Sequence, residues 1–179
     1  MRRYSLPLKF LRLVWVVLRF DRFETYPGAT AQPGNCNCTG AHMTLSHYIN
    51  FDGNCREAFA YYQTHLGASA PQFLSYGEGP ISDTLSPADR EKVMHASITI
   101  HGFEVAGTDA VTVPYVAPHG MRIILNVEHA DEAQRLFSAL SDGGQVLKDL
   151  HETFWAVAFA VVTDRFNVPW TINCPKEAN

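Results

Sequence analysis

The chain has 179 residues, of which 46% are hydrophobic and 12% aromatic, and its formal net charge is −4 at neutral pH. This composition is typical of a globular protein, and the length allows one well-buried domain or two small modules that share a core. No uninterrupted apolar run approaches the roughly 18 residues of a membrane-spanning helix. The acidic body of the chain also argues against a nucleic-acid surface.

Residues 1–42 differ from the rest of the chain because they are basic, with six Lys and Arg side chains against two acidic ones. Basic residues interrupt their apolar stretch at 11–18, which makes it too short for a secretory signal. Residues 27–40 are rich in Gly, Pro, Asn and Thr and are typical of a linker. We therefore predict a disordered N-terminal extension and a domain that begins at Met43, a second candidate start. The alternative is a short amphipathic helix on an anionic membrane surface.

The first element after the linker is a predicted strand at residues 47–51, followed by a helix. Asn54 is a suitable N-cap, and Glu57 three positions later has the spacing of a capping box. Gly67 ends the helix. Alternation then predicts strands at residues 95–100 and 103–107, whereas residues 77–91 are aperiodic and indicate a long loop. The apolar side chains at helical spacing predict the buried stripe of the helix: Cys55, Phe59, Tyr62 and Leu66.

The same order of elements recurs about 75 residues later. A predicted strand at residues 122–126 precedes a helix that ends at Gly143 and Gly144, and three further strands follow. These strands are predicted at residues 145–150, 154–162 and 168–174. The buried stripe of the second helix is predicted to contain Ala130, Ala133, Phe137 and Leu140.

The repeat predicts an α+β fold of two β-α-β-β-β modules, at about residues 43–110 and 119–176. A four-stranded sheet with a helix on one face leaves its other face uncovered, so two such modules are expected to pair into an eight-stranded, partly open barrel. The concave interior of such a barrel is a natural place for a small molecule.

Several segments of the chain resemble the PhnB-like branch of the vicinal oxygen chelate superfamily, which includes glyoxalase I, extradiol dioxygenases and bleomycin- or fosfomycin-resistance proteins. The resemblance covers about residues 43–176, and its closing motif is the most specific part. Asn167 stands where this family usually has Gly. The segments that carry the resemblance are residues 47–55, 93–96, 152–156 and 162–174.

The resemblance implies a divalent metal held by side chains from four strands, at positions that correspond to His47, Ala106, Arg122 and Thr171. Of these, only His47 could bind a metal strongly, because alanine has no donor, a threonine hydroxyl is a poor ligand and arginine is a permanent cation. A divalent metal is therefore disfavoured, no other cofactor is predicted, and no catalytic residue is assigned.

The same four residues, with Glu152 and Trp155, are the candidate ligand-binding residues of the pocket. Arg122 could clamp an anion or extend along the surface. Trp155 could roof the pocket or pack in the core, whereas Trp170 is expected in the core. Cys55 in the first helical turn could have a lowered pKa, although such a residue is more often a small buried hydrophobe.

The leading functional hypothesis is a cytoplasmic, homodimeric glyoxalase-like protein that binds a small organic, anionic molecule in its cup without a full metal site. The alternatives are a metal-dependent lyase or dioxygenase, which would make the protein an enzyme, and a drug-sequestering resistance protein. Some members of this branch are described as demethylubiquinone methyltransferases. The sequence argues against that activity because neither helix follows the glycine-rich turn of a cofactor-binding fold.

Overall fold

The computed structural model describes residues 45–176, so the predicted extension and its boundary at Met43 lie outside the described residues. Two short 3-10 turns, Tyr76–Glu78 and Ser82–Thr84, occur in the predicted long loop. The strands and α-helices are, in chain order, β1 (His47–Phe51), α1 (Cys55–Leu66), β2 (Gln72–Ser75), α2 (Pro87–Arg90), β3 (Val93–Ile100), β4 (Phe103–Asp109), β5 (Ile123–Asn126), α3 (Ala130–Ser141), β6 (Gln145–His151), β7 (Ala156–Thr163) and β8 (Pro169–Pro175).

The strands form two four-stranded sheets with the same topology. The order is β1-β4-β3-β2 in the first sheet and β5-β8-β7-β6 in the second. The first strand of each module pairs in parallel with the last one, β1 with β4 and β5 with β8, and the other pairs are antiparallel. The predicted fold class is therefore confirmed: two β-α-β-β-β modules form a barrel that is not closed, because β1 and β5 are both edge strands.

Each sheet buries one face under the helices and leaves the other face, here called the open face, more accessible. In β1, Ile49 and Phe51 are buried, and the Phe51 ring meets Phe59 of α1 edge to face at 5.7 Å. Because successive side chains of a strand alternate between faces, Tyr48 and Asn50 lie on the open face, where both are exposed. In β8 Trp170 and Ile172 are buried on the helix side, and Thr171 on the other face is buried too. The predicted core position of Trp170 is confirmed by its complete burial.

Helix α1 confirms its predicted stripe, since all four side chains are buried. Asn54 occupies the predicted N-cap position, and its carbonyl oxygen accepts from the N–H of Ala58 at 3.0 Å, but its side chain makes no capping hydrogen bond. The carboxylate of Asp109, at the end of β4, instead accepts from the backbone N–H of Cys55 at 2.9 Å and from that of Val93 at 2.8 Å. The start of the helix is thus fixed by a residue of another element.

Helix α3 follows its predicted stripe only in part. Ala133 and Leu140 are buried as expected, but Ala130 is exposed and Phe137 is half-buried at the margin of the core. Leu136 takes the buried position beside them, with 4% of its surface exposed. The buried face of α3 is therefore rotated relative to the predicted one. The second helix is thus not an exact copy of α1 shifted by 75 residues.

Two tyrosines of α1 join the first module to the second. Tyr61 donates its hydroxyl to the carbonyl oxygen of Ala139 at 2.7 Å, and Tyr62 donates to Asp164 at 2.6 Å. The ring of Tyr62 also meets Phe166 and Trp170 edge to face, at 5.9 and 5.5 Å. The two modules consequently share one core on the helix side of their sheets.

Within the described part of the chain, no helix is both long enough and apolar enough to cross a membrane. The predicted loop at residues 77–91 carries one short helix, α2, whose N-cap Ser86 accepts from the backbone N–H of Asp89 at 3.1 Å. Asn167 has a φ of 65°, a left-handed conformation that glycine adopts without cost and asparagine tolerates. The family's preference for Gly at this turn is thereby explained.

Candidate functional site

A small cavity of about 180 Å³ lies at the junction of the two modules. The edge strand β1 provides one wall, and residues at the start of β5 and β8 provide the other. His47 and Arg122, two of the predicted pocket residues, both line it. The segment that links the modules closes it with the apolar side chains of Val116, Pro118 and Met121.

The polar groups of this cavity favour an anionic ligand. Arg122 provides a permanent positive charge and a planar array of N–H donors that suits carboxylate or phosphate oxygens. The other polar side chains that line the cavity are those of His47, Tyr48 and Asn50, and none of the described lining residues is acidic. The apolar linker side chains can cover a short hydrocarbon group, because ligand sites combine such walls with a few polar contacts.

The strand register relates the four positions that correspond to the superfamily's metal ligands. In the first sheet Ala106 lies opposite Tyr48, and His47 lies one residue away, opposite Val105. In the second sheet Thr171 lies opposite Ile124, whereas Arg122 immediately precedes the first paired residue of β5. The structure brings His47 and Arg122 together, while Ala106 and Thr171 are buried on their strands and do not line the cavity.

The residues at these four positions do not fit a divalent metal. A metal ion there would meet the imidazole of His47, the cation of Arg122, the methyl group of Ala106 and the hydroxyl of Thr171. Zinc sites of proteins use three or four Cys, His or carboxylate ligands, and a fixed cation opposes any metal ion. In the described residues no three His, Cys, Asp or Glu side chains come together in a metal-binding arrangement.

The other two predicted pocket residues lie on the second module, away from the cavity. Glu152 pairs with Lys176 at 2.6 Å, and this hydrogen bond lowers the pKa of the Glu152 carboxyl. Trp155 is 45% exposed and meets Phe154 and Phe159 edge to face, at 4.5 and 5.5 Å. Neither residue lines the cavity that contains Arg122.

Tyr48 and His95 form a polar pair that the sequence analysis did not identify. The two rings stack with centroids 5.9 Å apart and an interplanar angle of 28°, and the Tyr48 hydroxyl lies 3.5 Å from Nδ1 of His95. Partial burial raises the pKa of the Tyr48 phenol, and its contact with Thr108 acts in the opposite direction. The only sequence signal was the strand alternation at residues 47–51, which places Tyr48 opposite to Ile49 and Phe51.

Two buried carboxylates organise the core rather than the cavity. Asp164 accepts from the backbone N–H groups of Phe166 and Val168 at 2.9 Å and from the indole of Trp170 at 2.8 Å, in addition to Tyr62. Burial raises the pKa of its carboxyl, and these donors oppose that effect. Like Asp109, it satisfies backbone donors that would otherwise be buried without a partner, so its role is structural.

Cys55 is a buried hydrophobe, as the simpler of its two interpretations held. Its thiol is fully buried, and burial, with a smaller contribution from the negative charge of Asp109, raises its pKa far above the ordinary value. The helix N-terminus does not lower this pKa, because burial of the thiol and, to a smaller extent, the neighbouring Asp109 carboxylate both disfavour the thiolate. Cys55 therefore lacks the thiolate character of a reactive cysteine.

Comparison with known proteins assigns this architecture to a family. The family model described as 3-demethylubiquinone-9 3-methyltransferase matches residues 43–173. Protein YjdN of Escherichia coli (strain K12) is 36% identical over 143 residues, which are 75% of this chain and 97% of YjdN.

Two solved structures are similar to this chain. The crystal structure of protein PA1353 from Pseudomonas aeruginosa is 40% identical, with a TM-score of 0.67 over 76% of this chain and 100% of that one. A protein from Bacillus cereus, described as a putative 3-demethylubiquinone-9 3-methyltransferase and PhnB protein, has a TM-score of 0.60 at 20% identity, over 74% of this chain and 99% of that one. The second likeness is evidence for the fold alone.

Proposed function

The chain belongs to the PhnB-like family of the vicinal oxygen chelate superfamily, and from this premise we propose that it binds a small organic anion in the cavity between β1 and β5. One observation carries the proposal. His47, at the start of edge strand β1, and Arg122, immediately before edge strand β5, line the same cavity, and the rest of its described wall is apolar or uncharged. An anion there would be held by Arg122 and shielded by the linker side chains.

The cavity is small, which favours a small ligand. Its volume of about 180 Å³ is below the roughly 300–1,000 Å³ of pockets that enclose a drug-sized molecule. Short carboxylates, phosphonates and inorganic phosphate are small ligands of this kind and present the oxygens that a guanidinium binds in a bidentate manner.

The experiment is a binding titration with a charge-matched control. We expect propionate, methylphosphonate or phosphate to raise the melting temperature, because a ligand that binds only the folded state stabilises it by mass action. Arg122→Gln should weaken binding by about tenfold or more, the usual worth of a charge-assisted hydrogen bond. Arg56→Gln removes the same charge from a side chain that lies over the Phe73 ring, outside the cavity, and should leave binding unchanged.

Two results would contradict the proposal. Equal weakening of anion binding in the two arginine variants would mean that binding depends on the net charge of the protein rather than on the cavity. Methyl transfer from S-adenosylmethionine, unaffected by Arg122→Gln, would favour the activity in the family description instead.

The same experiments separate the alternative functions. Ligand binding without turnover would agree with a sequestering role. Turnover that depends on added metal would favour the lyase or dioxygenase alternative.

We also propose a homodimer in the cytoplasm. The second module exposes Phe154, Trp155 and Val157 together on one strand and the turn before it, and exposed apolar patches often mark contacts with other chains. The buried cysteines of the described residues, Cys55 and Cys174, are free thiols, as is usual for proteins of reducing compartments. These features support the proposal, and fractionation and sedimentation would test it.

A further inference from the structure

One wall of the cavity is formed by a segment that the rest of the domain holds only loosely. Residues 111–121, here called the strap, lie between β4 and β5 and contain no helix or strand, and most of them are exposed. The N–H of Ala110, just before the strap, donates to the carbonyl oxygen of Phe51 at 2.8 Å, but the strap itself makes no backbone–backbone hydrogen bond within the described chain. Such segments open at a low cost in free energy.

The strap is anchored by the ring of Tyr115, which is half-buried between exposed neighbours. Burial raises the pKa of this phenol, and the side chain of Asn167, in the turn between β7 and β8, acts in the opposite direction without the geometry of a hydrogen bond. The hydroxyl is thus buried without a partner among the described residues. Such a group loses its hydrogen bonds to water and regains them when the strap opens. The anchor is therefore a packing contact that is easily released.

The strap can turn about a glycine at its end. Gly120 has a φ of 75°, a left-handed conformation that glycine adopts without strain, and an added Cβ there would meet no atom within 4 Å. Pro114 and Pro118 fix their own φ angles and stiffen the chain before it. The freedom of the strap is thus greatest at Gly120, two residues before Arg122.

We propose that the strap is a lid that closes over the anion held by Arg122, with Gly120 as its hinge and the ring of Tyr115 as its latch. This inference rests on the proposed anion site and adds the control of access to it. The closed strap places its three apolar lining side chains beside the anion. They exclude water from the ion pair, which is stronger at low dielectric. The anion therefore stabilises the closed strap more than the open one, as a ligand that shifts a conformational equilibrium must.

Two measurements with inorganic phosphate test the lid. Proteinase K cuts exposed chain, and under mild digestion the rate of cutting follows the population of the open form. We expect cutting within residues 111–121, located by mass spectrometry, to be slowed at least about threefold by saturating phosphate, because the bound anion lowers the open population. Calorimetry gives the Kd for phosphate of the same variants.

The hinge is tested with a matched pair of glycines. Gly120→Ala strains the closed hinge, so we expect cutting of the strap without phosphate to become about fivefold faster. Phosphate affinity should fall by a smaller factor, because only the closed fraction binds tightly. Gly102, in the turn between β3 and β4, also has a positive φ, 87°, and no atom within 4 Å of an added Cβ. Gly102→Ala should leave both the cutting of the strap and the phosphate affinity unchanged.

The latch is tested by two substitutions of one residue. Tyr115→Ala removes the ring, and we expect faster cutting of the strap and weaker phosphate binding. Tyr115→Phe keeps the ring and removes only the unpaired hydroxyl, so cutting should be no faster, and binding no weaker, than in the wild type. Faster cutting in Tyr115→Phe, equal to that in Tyr115→Ala, would mean that the hydroxyl holds the strap and that the packing latch is wrong.

The outcomes separate the lid from the anion site on which it rests. If phosphate binds and Arg122→Gln weakens it, but neither phosphate nor Gly120→Ala changes the cutting of the strap, the anion site stands and the lid is wrong. Equal effects of Gly120→Ala and Gly102→Ala would also overturn the hinge, since they would report general destabilisation. If phosphate does not bind, or if Arg122→Gln has no effect, the anion site itself is wrong and the lid falls with it.

Discussion

Tyr62 of helix α1 donates its hydroxyl to the buried carboxylate of Asp164 at 2.6 Å, across a separation of 102 residues. The first residue belongs to the first module and the second to the turn between β7 and β8. The same carboxylate accepts from the indole of Trp170 and from two backbone N–H groups. A single side chain therefore organises the last turn of the second module and fastens the first module to it.

Tyr62→Phe should destabilise the protein by about 1–3 kcal/mol. The variant keeps the ring and its packing but leaves the buried carboxylate of Asp164 with one hydrogen-bond donor fewer. Denaturant unfolding measures the effect. Tyr61→Phe is the matched control because its hydroxyl bonds to a carbonyl in a more accessible place, and we expect a smaller loss. Equal losses in the two variants would argue against a special role of Asp164.

Phe59→Ala should reduce the free energy of unfolding by about 3–5 kcal/mol, the usual cost of removing a buried phenyl ring. The Phe59 side chain is completely buried and contacts the rings of Phe51, Tyr62 and Phe73. Phe154→Ala removes the same group from a side chain that is 89% exposed, so it should cost little. A change near zero in the free energy of unfolding for Phe59→Ala would show that α1 does not pack in the shared core.

Cys55 should make the stability fall at alkaline pH. Its pKa is raised in the folded state, so the thiol loses its proton more readily when the chain unfolds. The contribution is fully present below the unfolded-state value of about 8.5 and is lost as the pH rises above it. We expect Cys55→Ala to flatten the decline of the unfolding free energy between pH 8 and pH 10. These two pH values lie on either side of the unfolded-state pKa of the thiol.

The same raised pKa predicts that Cys55 resists alkylation. In a variant with Cys36 and Cys38 replaced by serine, the remaining thiols, Cys55 and Cys174, are both buried. Iodoacetamide at mildly alkaline pH should label this variant slowly until denaturant is added, because the thiolate is the reacting form. Rapid labelling of Cys55 in the folded protein would show that the N-terminus of α1 activates it after all.

Divalent metals should leave the melting temperature nearly unchanged. Zn²⁺, Ni²⁺, Mn²⁺ and Fe²⁺ would find one imidazole, that of His47, next to the cation of Arg122, and such a set of groups binds metal weakly. A tight site would instead raise the melting temperature at modest metal concentration. Stoichiometric metal in the purified protein, lost in His47→Ala, would overturn this expectation and support a metal-dependent enzyme.

The exposed aromatic residues of the second module predict the behaviour of the proposed dimer. Phe154→Ser and Trp155→Ser should shift the protein toward the monomer in sedimentation at low micromolar concentration, because aromatic side chains contribute much of the energy of an interface. Phe103 is 74% exposed at the other module, and Phe103→Ser is the control. A dimer that tolerates all three changes must use another surface.

Local pattern and family resemblance were sufficient for much of the fold. The spacing of Phe59, Tyr62 and Leu66 predicted the buried face of α1, since a helix repeats every 3.6 residues whatever its partners. The side-chain acceptor at the start of that helix could not be predicted from Asn54 and Glu57, because it is Asp109, which lies 54 residues beyond Cys55 in the chain. The distant acceptor competes with the local one, and only the packed structure shows which of them is used.

The candidate site was less accessible to sequence reasoning. The 75-residue repeat paired His47 with Arg122, and both line the cavity. The strand register, however, makes Tyr48 and Ile124 the equivalent residues, opposite Ala106 and Thr171. An error of one residue in the alignment of two strands places a side chain on the wrong face of the sheet. The approximate repeat therefore could not show that Tyr48, rather than His47, lies opposite Ala106. The contact of Tyr48 with His95 depends in addition on the pairing of β1, β4 and β3.

The absence of a hydrogen-bonded ladder between β1 and β5, within the described sheets, has a mechanical consequence for the cavity. A ladder would fix the separation of two strands, whereas side-chain contacts such as those of Tyr61 and Tyr62 tolerate small rotations. We therefore expect the distance between His47 and Arg122 to depend on the side-chain contacts that hold α1 against the second module. Substitutions at this helix, remote from the cavity, should therefore alter the width of the cavity.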